Sequence, residues 1–173
     1  MKNIILLITL TFLVSIGWSQ ESEKNFGKLP SIIVKSMDGK SLNTEDLSND
    51  GKPFIITFWA TWCKPCIKEH DAINDVYEDW MDETGVKLFA ISIDNARSSK
   101  RVLPTINGKG WEFDILLDEN GDLKRAMNVN VPPHTFIVNG EGLIVWQHVG
   151  YLDGDEEEYI EIIEKINAGE AIE

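Results

Sequence analysis

The sequence predicts an α/β sandwich, a mixed central sheet flanked by helices, and three observations predict it. Apolar β-type runs at residues 54–58 and 86–94 bracket an amphipathic stretch in which Ile73, Val76, Tyr77 and Trp80 recur at helical spacing. Short strand-like and helix-like segments then alternate towards the C-terminus, the pattern of helices layered on a sheet. With 173 residues, 43% of them hydrophobic, the chain suits one domain with its own core, and it carries no repeat or low-complexity tract.

Residues 1–19 open with Lys2, continue through an apolar run, 4–14, and end in the small or polar residues Ser15, Gly17 and Ser19. This is the outline of a secretory signal peptide, its apolar stretch being short for a spanning helix. Cleavage is expected near Ser19 or Gln20, with retention as an anchor the alternative. No cysteine stands near the cleavage region to carry a lipid, and no second apolar run could cross a bilayer, so the mature form should not span a membrane. Residues 20–27 are polar and expected to be mobile.

Ile32, Ile33 and Val34, the turn pair Asp38-Gly39 and then Ser41-Leu42 predict an N-terminal hairpin, followed by a short turn or helix and Gly51-Lys52-Pro53. Residues 86–94 read as a central strand. Residues 98–107 read as a helix with Val102, Leu103 and Ile106 on one side, Pro104 lying either in its first turn or at a kink. Residues 114–118 suit a strand, 122–127 a short helix, and 135–138 with 143–149 a hairpin. The last helix, 155–168, carries Tyr159, Ile162, Ile163 and Ile166 on one face and acids at its N-terminal end, where they complement its dipole.

A net charge of −13 argues against nucleic acid and anionic lipid as partners; any charge-steered partner should be basic.

The chemistry concentrates in residues 59–66, Trp-Ala-Thr-Trp-Cys-Lys-Pro-Cys, where strand gives way to helix. One helical turn brings Cys63 and Cys66 within disulfide reach. The helix start favours an anion, which should lower the Cys63 pKa from about 8.5 towards 7 or below and make it the attacking thiol. Cys66, one turn deeper, resolves the mixed disulfide. Lys64 adds a positive charge, and Pro65 costs no hydrogen bond so early in the helix. Haem attachment fails because Ile67, not histidine, follows Cys66, and a peroxidase would place threonine where Ala60 stands. A metal site built from Cys63, Cys66 and His70 remains an alternative at this point.

The segment 58–66 resembles the active-site segment of thioredoxin-like thiol-disulfide oxidoreductases of the TlpA/ResA type, and Pro133-His134-Thr135-Phe136-Ile137-Val138 resembles their cis-proline strand. The resemblance implies a thioredoxin-like domain over residues 28–173, with an N-terminal hairpin extension and a helix inserted near residues 98–107. It implies a protein-disulfide reductase with no bound cofactor, the redox group being the Cys63–Cys66 pair itself. Its implied partners are disulfide-containing exported proteins, whether apocytochromes or other periplasmic proteins, with a membrane thiol reductase as electron donor and a periplasmic location.

Pro133 matches the cis-proline that holds substrate beside the disulfide, and Pro132 and Trp62 complete the implied substrate-binding set. Pro132 has no N–H to offer an incoming chain, so one backbone hydrogen bond fewer is expected; the alternative is that the two prolines merely stiffen a turn. Thioredoxins carry a buried aspartate where Thr57 stands, which cannot titrate, whereas Glu69 matches a glutamate of the ResA-type proteins and is the candidate base for Cys66. An exposed glutamate in ordinary ion pairs is the competing reading. Trp59 is either an apolar wall of the site or core, and His70, His134 and His148 read as packing, loop or surface residues. A non-catalytic interaction domain on the same scaffold is the third functional alternative.

Overall fold

The computed structural model describes residues 26–172. The expected leader, 1–19, lies outside the described residues, as does most of the segment 20–27. The last two residues of that segment, Phe26 and Gly27, exchange backbone hydrogen bonds with Ile144, so pairing with the sheet begins before residue 28.

The N-terminal hairpin forms as expected from β1 (Ile33–Ser36) and β2 (Ser41–Asn43). Strand β3 (Phe54–Trp59) is buried at every position, as an apolar run covered on both faces must be. It pairs in parallel with β4 (Lys87–Ser92), which pairs in parallel with β5 (Asp114–Leu117). On its other side β3 runs antiparallel to β6 (His134–Val138), and β6 antiparallel to β7 (Ile144–Val149). The sheet order is β2-β1-β5-β4-β3-β6-β7, a mixed sheet with β3 deep inside it.

Helix α1 (Lys64–Thr84) leaves β3 directly. It ends because Gly85 takes the left-handed conformation, φ 69°, and donates its N–H to Met81 O. The inserted segment is split: a 3-10 turn, Ser99–Arg101, leads into α2 (Val102–Lys109), and Pro104 sits in the first turn of α2 without a kink. Val102 and Ile106, four residues apart, face inwards, while Leu103, a helical step to one side, is exposed rather than part of the buried stripe. Helix α3 (Asp122–Ala126) follows β5, and α4 (Asp155–Ala168) closes the domain.

Alternation along the strands divides the core into two layers. Ile55, Trp59, Leu88 and Ile137 pack with Ile73 and Tyr77 of α1 and Tyr159 and Ile163 of α4. Phe54, Ile56, Phe58 and Phe136 face the opposite way, against Leu123 of α3 and Leu29. Odd-numbered positions of β3 and β6 therefore point towards α1 and α4, which decides what surrounds Thr57 and Thr135.

Candidate active site

The two cysteines stand at the junction of β3 and α1. Cys63 is the N-cap of α1, extended in backbone, and its sulfur accepts the Cys66 N–H at 3.3 Å. The Cα atoms are 5.3 Å apart and the sulfurs are bonded. Cys66 is fully buried and Cys63 keeps 5% of its surface exposed, so the N-terminal cysteine is the less enclosed of the two. Lys64 and Pro65 fill the first two helical positions, where the proline lacks only an N–H that has no partner in the helix. Trp62 projects from the turn with 58% of its surface exposed.

A buried aspartate clamps this turn. Asp94, just beyond β4, accepts the Thr61 N–H at 2.7 Å, the Thr61 hydroxyl at 2.8 Å and the Ser92 hydroxyl at 3.1 Å. Within the turn, the Cys63 N–H donates to Ala60 O at 3.0 Å. Pro132-Pro133 is a cis peptide. The register that sets Phe58 opposite His134 carries Pro133 to the same end of the sheet as the disulfide, and Pro133 O accepts the Gly150 N–H at 2.9 Å.

Glu69 is not the exposed helix glutamate of the competing reading. It is fully buried, one helical turn after Cys66. Its Oε2 lies 3.1 Å from the Thr57 hydroxyl, and its Oε1 lies 2.8 Å from both the Thr135 and the Tyr159 hydroxyls. The two threonines are directly paired across β3 and β6, and their hydroxyl oxygens are 3.2 Å apart. Burial pushes the Glu69 carboxyl up to about 7, although hydrogen bonds from Thr135, Tyr159 and Thr57 pull the other way.

Trp59 is core, with no exposed surface, edge-on to His70 and Trp111. His70 is enclosed by Trp59, Trp111 and Phe113, and neither ring nitrogen has a hydrogen-bond partner among the described residues. Burial holds it neutral, its pKa lowered to about 3. Among the described residues no group of three or more His, Cys, Asp or Glu side chains is placed to hold a metal, so the Cys63, Cys66 and His70 alternative finds no site. His134 stacks on Phe136 in the opposite core layer and its Nε2 lies 3.0 Å from Gln147 Oε1, away from the Glu69 layer.

The sequence assigns no site role to Thr135, Tyr159 or Asp94. Tyr159 was visible only as one more residue on an apolar helix face, and Thr57 only as a group unable to titrate; strand alternation was the one signal that aims Thr57 at α1.

The AhpC/TSA family model matches residues 27–147. The chain is 32% identical to the thiol-disulfide oxidoreductase ResA of Bacillus thuringiensis, over 86% of each chain. It is 28% identical to the thiol:disulfide interchange protein DsbE of Haemophilus influenzae, over 84% of this chain and 81% of that one. The solution structure of an uncharacterized thioredoxin-like protein from Porphyromonas gingivalis superposes with a TM-score of 0.73 at 49% identity, covering 83% of this chain and 94% of that one.

Proposed function

The chain belongs to the AhpC/TSA family, as a thiol-disulfide oxidoreductase with a Cys63–Cys66 redox pair, and we propose that it is exported and reduces disulfides of exported proteins. The observation that carries this reading is a bonded cysteine pair at a helix start, Cys63 at the N-cap and Cys66 fully buried in the first turn. The Cys63 thiolate attacks a partner's disulfide, and the partner's first sulfur leaves with the electron pair. Cys66 then attacks Cys63 in the mixed disulfide, releasing the partner's second thiolate. Two electrons pass from the pair to the partner, and a membrane thiol reductase supplies two more to restore the dithiol.

Glu69 is the base that receives the Cys66 proton in the second step, its raised pKa suiting exchange near neutral pH. Trp62, Pro132 and Pro133 hold the substrate segment beside Cys63, while Lys64 and Pro65 tune the thiolate. Export is supported by the charged start and apolar run of residues 1–19. Among the described residues no helix is long and apolar enough to cross a membrane. Disulfides of exported apocytochromes are one substrate class of the proposal.

The reduced protein should reduce insulin disulfides. Cys66→Ser should accumulate a mixed disulfide through Cys63, and Cys63→Ser should form none. Equal trapping by both variants would contradict the assigned order of attack.

A further inference from the structure

Four close contacts join the Glu69 carboxyl and three hydroxyls: Thr57 to Oε2, Thr135 to Oε1, Tyr159 to Oε1, and Thr57 to Thr135. Each hydrogen bond needs its own proton, and each hydroxyl brings one. Three protons cannot serve four contacts. With Glu69 ionised, all three hydroxyls turn to the carboxylate and the Thr57–Thr135 contact holds no proton. With Glu69 protonated, its O–H donates to Thr57, Thr57 to Thr135, and Thr135 and Tyr159 to Oε1, so every contact is filled. All four contacts are filled together only when Glu69 carries a proton.

We propose that Tyr159 is the positioning residue of this redox site, its buried phenol holding the Glu69 carboxyl in that closed ring, where the proton given up by Cys66 is kept. This rests on Glu69 being the base of the proposed reaction. As the disulfide closes, the Cys66 S–H bond breaks, its proton goes to Glu69, the Cys66–Cys63 bond forms, and the partner's sulfur leaves as thiolate. The proton therefore ends in the cluster whose fourth contact it fills. Tyr159 reaches Glu69 from α4, ninety positions along the chain, and is itself fully buried, its ring edge-on to Trp146.

The groups that act on Glu69 come from the elements packed against α1: Thr57 from β3, Thr135 from β6, Tyr159 and the Asp155 charge from α4; Cys66 and His70 share its own helix, His70 turned into the rings of Trp59, Trp111 and Phe113. His148 of β7 lies behind Tyr159, its Nε2 3.2 Å from Asp155 Oδ2. Tyr159 is the one that donates directly from the helical layer. Removing its hydroxyl takes a donor from the ionised carboxylate, so the carboxyl should hold its proton to higher pH.

The test is an infrared titration of the oxidised protein, the Glu69 band being assigned by its loss in Glu69→Gln. The protonated-acid carbonyl band should be present in the disulfide form, and its midpoint should rise by roughly one pH unit in Tyr159→Phe. An unmoved or lowered midpoint overturns the proposal. Without any substitution, the ring-carbon resonance of labelled Tyr159 next to its oxygen should move with the Glu69 midpoint; a resonance indifferent to that titration overturns it equally. The pH profile of mixed-disulfide resolution separates the two readings. If Glu69→Gln leaves that profile unchanged, Glu69 is not the base, whereas the infrared shift still decides whether Tyr159 positions it. Tyr159→Phe should add nothing to the resolution profile in a Glu69→Gln background, and an added effect there would place Tyr159 outside the Glu69 pathway.

Discussion

Glu69 and His70 are neighbours on α1, both fully buried, yet burial moves them in opposite directions. Each is pushed towards its neutral form, which raises an acid and lowers a base. Glu69 has three hydroxyls around it; His70 has only aromatic rings. An imidazole whose nitrogens lack partners gains little from being polar. His70→Leu should therefore keep the stability at neutral pH in urea unfolding, and should become the more stable protein as pH falls below 6.5, where the unfolded wild type takes up a proton the folded state refuses. A His70→Leu protein that loses stability in parallel with the wild type on acidification would show that His70 is not the group responsible. At Pro132 the missing N–H should weaken substrate binding by about 0.5–1.5 kcal/mol, the net worth of one hydrogen bond. Pro132→Val should correspondingly slow dissociation of substrate from a trapped complex, and unchanged affinity would refute that role.

At the scale of elements, the site is a junction held from three sides: β3 delivers the turn, α1 caps it, and Asp94 beyond β4 ties Thr61 down. Asp94→Ala leaves the Thr61 N–H without its acceptor and should cost about 1–3 kcal/mol in chemical denaturation. Local pattern made much of this legible. An apolar run before a helical period placed Cys63 and Cys66 at the junction, and Asp38-Gly39 placed the hairpin. Glu69 was harder because a charged residue on a helix normally marks the wet face, and what buries it lies far away in sequence, on β6 and α4. Asp94 was hidden likewise, at the end of an apolar run where its partner, Thr61, is set by the parallel pairing of β3 and β4. Leu103 misled because it stands three residues before Ile106 and so fits the helical spacing, yet it is adjacent to Val102, and the buried stripe of α2 runs along Val102 and Ile106.

Across the whole molecule, one sheet separates two apolar layers, with the cysteine pair, Glu69 and His70 on the α1 side and His134 on the other. Glu69 and His70 give the α1 side a pH signature between about pH 4.5 and 7. Between about pH 4.5 and 6.5 the folded state holds a proton on Glu69 that the unfolded chain lacks, while the unfolded chain holds one on His70 that the folded state lacks. Their slopes oppose. Across this window Glu69→Gln should make stability rise with pH, and His70→Leu should make it fall, the Glu69 contribution being lost as pH climbs through about 7. Equal slopes in the two variants would contradict this assignment. The central claim concerns the sulfur at the helix start, and the direct measurement is the rate of alkylation of each cysteine in the reduced protein as a function of pH. Cys63 should react faster than free cysteine at neutral pH, with a midpoint well below 8.5, and Cys66 should lag behind it. A Cys63 that titrates and reacts like free cysteine, or more slowly than Cys66, would contradict the proposed chemistry.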